Sequence, residues 1–247
     1  MKKEVIVRLS KILKNNSVDA IFVAPSEELV LLTGKNMYLC ERFQGLFLTS
    51  EGKSFYVCNL LHTNEVMEIV DSNTIIYDWF DEEDFTDIVK KAFEDFNLIG
   101  KKIAVNSTAR GFNLFPIAEK TGVEFVNGKQ LLEEVRIIKT ESQMDDLRQA
   151  SRITDEVFIE LLNFIKPGLR ECEIRDEMTR MFSKRGIAEK SFGGLIASGS
   201  NASLPHYFGN QRVIEEKDIL LLDYGCEYNA KRKGAKITPT YTPVIKA

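Results

Sequence analysis

Through its first 128 residues the chain alternates short β-branched or aromatic runs with helical patterns, and this alternation narrows the fold more than any other feature. KKEVIVRLSKILKNN opens it with an apolar stripe at Val5, Ile6, Leu9, Ile12 and Leu13, the spacing of an amphipathic helix. DAIFVAP, from Asp19 to Pro25, reads as a buried strand, and SEELVLLTG as a helix capped by Ser26 and stopped by Gly34. FQGLFLTS and KSFYVCNLL are strands joined through Glu51-Gly52, a hairpin signal. A helix (HTNEVMEIV) and a strand (NTIIYDW) follow, then the helix DFTDIVKKAFEDFNL, with Ile88, Ala92 and Phe93 at helical spacing. KKIAVN, FNLFPIAEKTG (stopped by Gly122) and VEFVN read as strand, helix and strand. Such alternation predicts an α/β sandwich around a mixed sheet.

The rhythm changes near Glu133. Thr140 and Gln143 form a T-x-x-Q capping box that opens a long helix. Its expected apolar face is Met144, Leu147, Val157, Phe158, Leu161, Leu162 and Ile165, and Pro167-Gly168 is expected to end it. A second helix over 171–185 is expected to bury Ile174, Met178, Met181 and Phe182 before Gly186. Two strand-like segments follow, FGGLIASGSNASLPH and DILLLDYGCEYN. These patterns divide the chain into an α/β domain over 1–132, an α+β region over 133–229 and a basic tail over 230–247.

At 247 residues there is room for one large domain or two ordinary ones. A net charge of −4 gives no reason to expect nucleic acid or an anionic membrane as partner. Cys40, Cys58, Cys172 and Cys226 are scattered without a CxxC pair and read as reduced core thiols of a cytosolic protein. No apolar run approaches the roughly 20 residues of a membrane span, and the first helix, broken by Lys and Arg, is not a signal segment. The expectation is a soluble, cytoplasmic protein.

Asp223 follows the apolar run ILLL. A carboxylate there either caps the turn DYG or serves a site, because burying it ionised requires a cation or donors. His206, in ASLPHY, reads as a hydrogen-bonded loop histidine or a catalytic one. His62, at the start of a helix, reads as a cap or an exposed side chain. Gly193, Gly194, Gly199 and Gly209 fit no phosphate-binding fingerprint and read as tight turns or places of close backbone approach. Lys231-Arg232-Lys233 reads as a solvated loop.

RIIKTESQMDDLRQASRITDEVF, FIKPGLRECEI, SFGGLIASGSNASLPH and DILLLDYGCEYN, in that order, resemble the Xaa-Pro peptidases: aminopeptidase P and prolidase, of the pita-bread fold shared with methionine aminopeptidase and creatinase. The first 130 residues resemble the same family's N-terminal α/β domain. The resemblance implies a creatinase/prolidase-type first domain, then the first half of a pita-bread metallopeptidase domain. It places Asp223 on the first metal-ligand aspartate, and His206 on the histidine that helps hold the substrate or tetrahedral intermediate. Leu204 and Pro205 then frame His206, and Ser198-Gly199 form its approach strand. It further implies two divalent ions (Mn, Co or Zn), a peptide substrate with proline in the second position, and a homodimer.

The family's ligand set is two aspartates, one histidine and two glutamates. Where the second aspartate belongs, this chain reads KGAKITPT, and no Asp, Glu or His follows Glu227. With Asp223 as its one ligand of that set, the chain is expected not to hydrolyse peptides alone. The strand ILLL is expected to lack neighbours, leaving an open edge. The last twenty residues hold five Lys or Arg and no acid, a break that reads as truncation or a frameshift within a longer sequence. Two alternatives remain: a non-catalytic binding or dimerisation protein, and a creatinase-like C–N hydrolase.

Overall fold

The computed structural model describes residues 1–35, 37–187, 193–207, 209 and 211–228, with the backbone of 244–246. These fall into two compact units, one spanning Met1–Lys139 and one that starts at Thr140.

The first unit runs α1 (Lys3–Asn15), β1 (Ala20–Val23), α2 (Glu27–Thr33), β2 (Gly45–Thr49), β3 (Ser54–Asn59), a 3-10 turn (Leu60–His62), α3 (Thr63–Ile69), β4 (Ile75–Trp79), α4 (Phe85–Asp95), β5 (Lys102–Val105), α5 (Gly111–Thr121), β6 (Glu124–Asn127) and α6 (Lys129–Ile137). The sheet order is β4-β3-β2-β1-β5-β6. β2 is antiparallel to β1 and β3, while β1–β5, β5–β6 and β3–β4 are parallel, so the sheet is mixed as expected.

Period-two alternation divides the core. Ile21, Val23, Leu46 and Leu48 pack with Leu9 and Leu13 of α1 and Leu132 of α6, whereas Phe22, Phe47 and Phe55 pack with Val89 and Phe93 of α4 and Ile117 of α5. Helices cover both faces, so β1, β2 and β3 are buried at every position. Gly45 makes room for an aromatic stack: a Cβ there would lie 2.4 Å from the Phe22 ring, which sits 5.1 Å from Phe43 and 4.6 Å from Phe47.

Caps set the helix ends. Ser26 Oγ accepts from the Leu29 N–H at 3.2 Å, and Gly34 stops α2 at φ +99°. α6 was not anticipated; it runs across position 132, and the unit closes at Lys139. Its end is tied back to α1 by Arg8, whose guanidinium donates to the Val135 and Ile138 carbonyls at 3.4 and 2.8 Å.

The second unit contains α7 (Glu141–Leu162), α8 (Glu171–Lys184), β7 (Leu195–Ser198), a 3-10 helix (Gly199–Ser203), β8 (Ile219–Asp223) and β9 (Val244–Lys246). The capping box forms: Thr140 Oγ1 accepts from the Gln143 N–H at 3.3 Å, and Gln143 Oε1 accepts from the Thr140 N–H at 2.8 Å. α8 buries Ile174, Met178, Met181 and Phe182 as expected.

Two expectations need correction. α7 ends at Leu162, ahead of Pro167-Gly168, and its buried face is Asp146, Ala150, Thr154, Val157 and Leu161. Small and hydrogen-bonded residues fill that face: Thr154 Oγ1 donates to the Ala150 carbonyl at 2.9 Å, and Cys226 Sγ lies 3.7 Å from Thr154 Oγ1. β8 does not lack neighbours either; it is the centre of the sheet β7-β8-β9, antiparallel to both. Its second partner is the β-branched pair Val244-Ile245 within the basic tail.

All four cysteines are free; Cys40, Cys58 and Cys226 are buried and Cys172 half-buried. Among the described residues no helix is long and apolar enough to cross a membrane.

Candidate functional site

β8 positions Asp223. Its neighbours Leu222 and Tyr224 are fully buried, and alternation turns the half-buried Asp223 to the opposite face, where it pairs in register with Leu195 of β7. His206 stands exposed in the turn after the 3-10 helix.

That turn is anchored by a buried carboxylate the sequence reading missed. Glu171, the first residue of α8, is only 1% exposed. Its Oε1 accepts from the backbone N–H and the hydroxyl of Ser198, both at 2.7 Å, and from the Asn201 amide at 3.2 Å. Its Oε2 accepts from the Tyr207 hydroxyl at 2.8 Å, and the Asn201 amide also donates to Tyr207 Oη at 2.9 Å. Burial and the Glu171 carboxylate together push the Tyr207 hydroxyl above its ordinary range. The segment Ser198–Tyr207 is thus pinned at its start, middle and end, the last pin adjoining His206.

A second pair braces the same segment. Arg212 Nη1 donates to Ser198 Oγ at 2.9 Å, and its guanidinium grips both carboxylate oxygens of Asp218. The Glu215 N–H adds a 2.9 Å bond to Asp218. Arg212 first, then the Glu215 N–H, hold the Asp218 carboxyl below the usual range. Gly199 sits at φ +52°, and a Cβ there would come within 2.7 Å of both Arg212 Nη2 and Asp218 Oδ1. Close backbone approach is therefore the role of Gly199, and also of Gly194, which sits at φ +70° directly before β7, where a Cβ would lie 2.6 Å from the Met178 methyl.

Glu171 was illegible because an acid in a helix's first turn ordinarily reads as an exposed complement to the helix dipole. The signal lay two residues on: Glu173 already fills that role, accepting from the Arg170 N–H at 2.7 Å. His62 also departs from expectation. Its side chain makes no capping bond and is 17% exposed, with Nε2 3.5 Å from Cys40 Sγ and Nδ1 3.4 Å from Glu65 Oε2.

Among the described residues no three His, Cys, Asp or Glu side chains gather to hold a metal ion. From Tyr228 to Ala247 the sequence contains none of these four residue types. One half-buried carboxylate does not fit a two-metal centre, whose ions need several fixed ligands. KGAKITPT and Lys231–Lys233 lie outside the described residues.

Known proteins match this chain over between 74% and 97% of its length. An uncharacterized peptidase of Bacillus subtilis, YqhT, is 26% identical over 192 residues, covering 74% of this chain and 51% of that protein. An Xaa-Pro dipeptidase of Pyrococcus furiosus is 25% identical over 234 residues, covering 92% and 62%. A dipeptidase structure from Pyrococcus horikoshii superposes with a TM-score of 0.83 at 25% identity, covering 97% of this chain and 64% of that one. The chain therefore spans between about half and two thirds of the length of these relatives. Residues 145–245 match metallopeptidase family M24, a stretch that includes most of the basic tail. Residues 6–138 match the creatinase/prolidase N-terminal domain, and with both domains in that order the chain belongs to the creatinase/prolidase family.

Proposed function

We propose that this chain carries the N-terminal domain and a first portion of the catalytic domain of a metal-dependent peptidase cleaving at proline, and that these residues alone do not complete its metal centre. Asp223 is the metal ligand in this reading, and His206 is the group that donates a hydrogen bond to the substrate carbonyl or the tetrahedral intermediate. The observation that carries it is the pinning of Ser198–Tyr207 by Glu171, because a catalytic donor works only when its backbone is held in place before substrate arrives. The second half of the proposal rests on the sequence, in which no Asp, Glu or His follows Glu227 to join Asp223.

Incubating the 247-residue chain with Mn²⁺ and an Xaa-Pro dipeptide tests this. The expected result is no turnover above buffer. Turnover that disappears in Asp223→Ala overturns the claim of an incomplete centre.

A second reading is a binding or dimerisation protein. The first unit favours it, having a covered core on each sheet face and its own ends tied by Arg8. Light scattering on the full chain separates the readings: a monomer at all concentrations, with no captured partner, counts against the second.

A further inference from the structure

Outside the proposed catalytic region, the first unit joins a thiol, an imidazole and a carboxylate in series. Cys40 Sγ lies 3.5 Å from His62 Nε2, and the other ring nitrogen, Nδ1, lies 3.4 Å from Glu65 Oε2. The ring therefore bridges its two neighbours through its two different nitrogens, a geometry suited to passing a proton along the series. With Nδ1 protonated toward Glu65, Nε2 is the acceptor facing the sulfur. The alternative acceptor for the thiol hydrogen, the Arg42 carbonyl, is farther at 3.9 Å.

A separate observation concerns Gln44, which is 3% exposed. Its amide nitrogen donates to the Tyr38 carbonyl at 2.9 Å and to Cys40 Sγ at 3.5 Å. Its amide oxygen is buried without a hydrogen-bond partner. An orphaned buried acceptor costs about 1–3 kcal/mol and calls for an explanation. Here it belongs to the amide that touches the sulfur, and what it lacks is a donor. A thiol turned into a sulfenic acid supplies that donor as S–O–H.

We propose that Cys40 is an oxidisable site: its thiol, deprotonated by His62 and steered by Glu65, reacts with a peroxide to give a sulfenic acid whose hydroxyl is received by Gln44 Oε1. The sulfur attacks one peroxide oxygen, an S–O bond forms and the O–O bond breaks. The departing hydroxide takes the proton held on His62 and leaves as water, so RSH and H₂O₂ give RSOH and H₂O. Sulfur is oxidised and peroxide reduced. Cys40 keeps 9% of its surface exposed and is flanked in the chain by the exposed Leu39 and Glu41, and this is the edge at which a peroxide would meet it. Cys58 lacks this equipment: burial pushes its thiol up to about 11.

The full chain is treated with hydrogen peroxide in the presence of dimedone, and each cysteine is quantified by mass spectrometry, with half-buried Cys172 as internal reference. Cys40 should label at least tenfold faster than Cys172, and His62→Gln should lower the Cys40 rate at least tenfold while leaving Cys172 unchanged. Equal labelling of the two cysteines, or a Cys40 rate within twofold of the parent in a folded His62→Gln, overturns the proposal. Should His62→Gln fail to fold, Glu65→Gln decides: a threefold or greater fall in the Cys40 rate supports the relay, and a smaller one overturns it.

Discussion

Glu171 and Ser198 are joined twice through one carboxylate oxygen, which accepts both the Ser198 backbone N–H and its hydroxyl at 2.7 Å. Residues distant in sequence are thereby locked at the start of the segment that leads to His206.

Glu171→Gln replaces a carboxylate oxygen with an amide NH₂ that faces donors. The expected loss is about 2 kcal/mol, because buried donors lose their acceptor. Tyr207→Phe removes both bonds of its hydroxyl, to Glu171 and from Asn201, but leaves the Asn201 amide on Glu171, and is expected to cost about 1 kcal/mol. Urea unfolding of both variants checks the order; equal stability of Glu171→Gln and the parent contradicts the network.

Gly199→Ala meets two obstacles, left-handed backbone and the Arg212–Asp218 pair 2.7 Å from the new Cβ. Gly186→Ala, at φ +75° with nothing within 4 Å, meets only the first. The Gly186 variant is expected to lose about 1 kcal/mol from backbone strain, and the Gly199 variant to lose more by about another 1–2 kcal/mol of crowding. Thermal melts compare the two; matching losses would mean that the ion pair simply moves aside.

Asp84 caps α4, accepting from the Thr86 N–H at 2.9 Å, from the Thr86 hydroxyl at 2.7 Å and from Lys120 at 3.0 Å. Those bonds lower its carboxyl from 3.8 to about 2, the Thr86 hydroxyl contributing most. The folded value lies below the unfolded one, so the stabilisation is present above about pH 4 and is lost as pH falls toward about 2. Asp84→Asn keeps the cap geometry without the titration. The stability difference between parent and variant should shrink across that window, measured by urea unfolding at successive pH values. A constant difference would contradict the assignment.

Ile245 pairs with Leu220 across the β8–β9 ladder. Proline fits poorly within a paired strand, so Ile245→Pro is expected to lower stability by about 1 kcal/mol. Hydrogen exchange provides a finer check, since the β8 amides should lose protection in the variant. Unchanged protection would place β8 at a sheet edge after all.

The first unit was legible because its signals are local. Apolar alternation, Ser26 as cap and Gly34 and Gly122 as stops are each decided within a few residues. α6 escaped because Leu131, Leu132 and Val135 sit among acids and only gain meaning when α1 lies against them. The face of α7 is not legible from hydropathy because Ala150 and Thr154 are buried against Cys226, a contact that hydropathy does not register. At the site, the loop histidine and strand-end aspartate were visible as residue types, whereas Glu171 owes its role to strand β7, far along the chain.

Arg8 reaches carbonyls 127 and 130 residues downstream. Within this unit the first helix in chain order is therefore finished by the last. Until α6 is in place Leu9 and Leu13 have only part of their cover, so closing this face of the unit's core waits on residues 129–137.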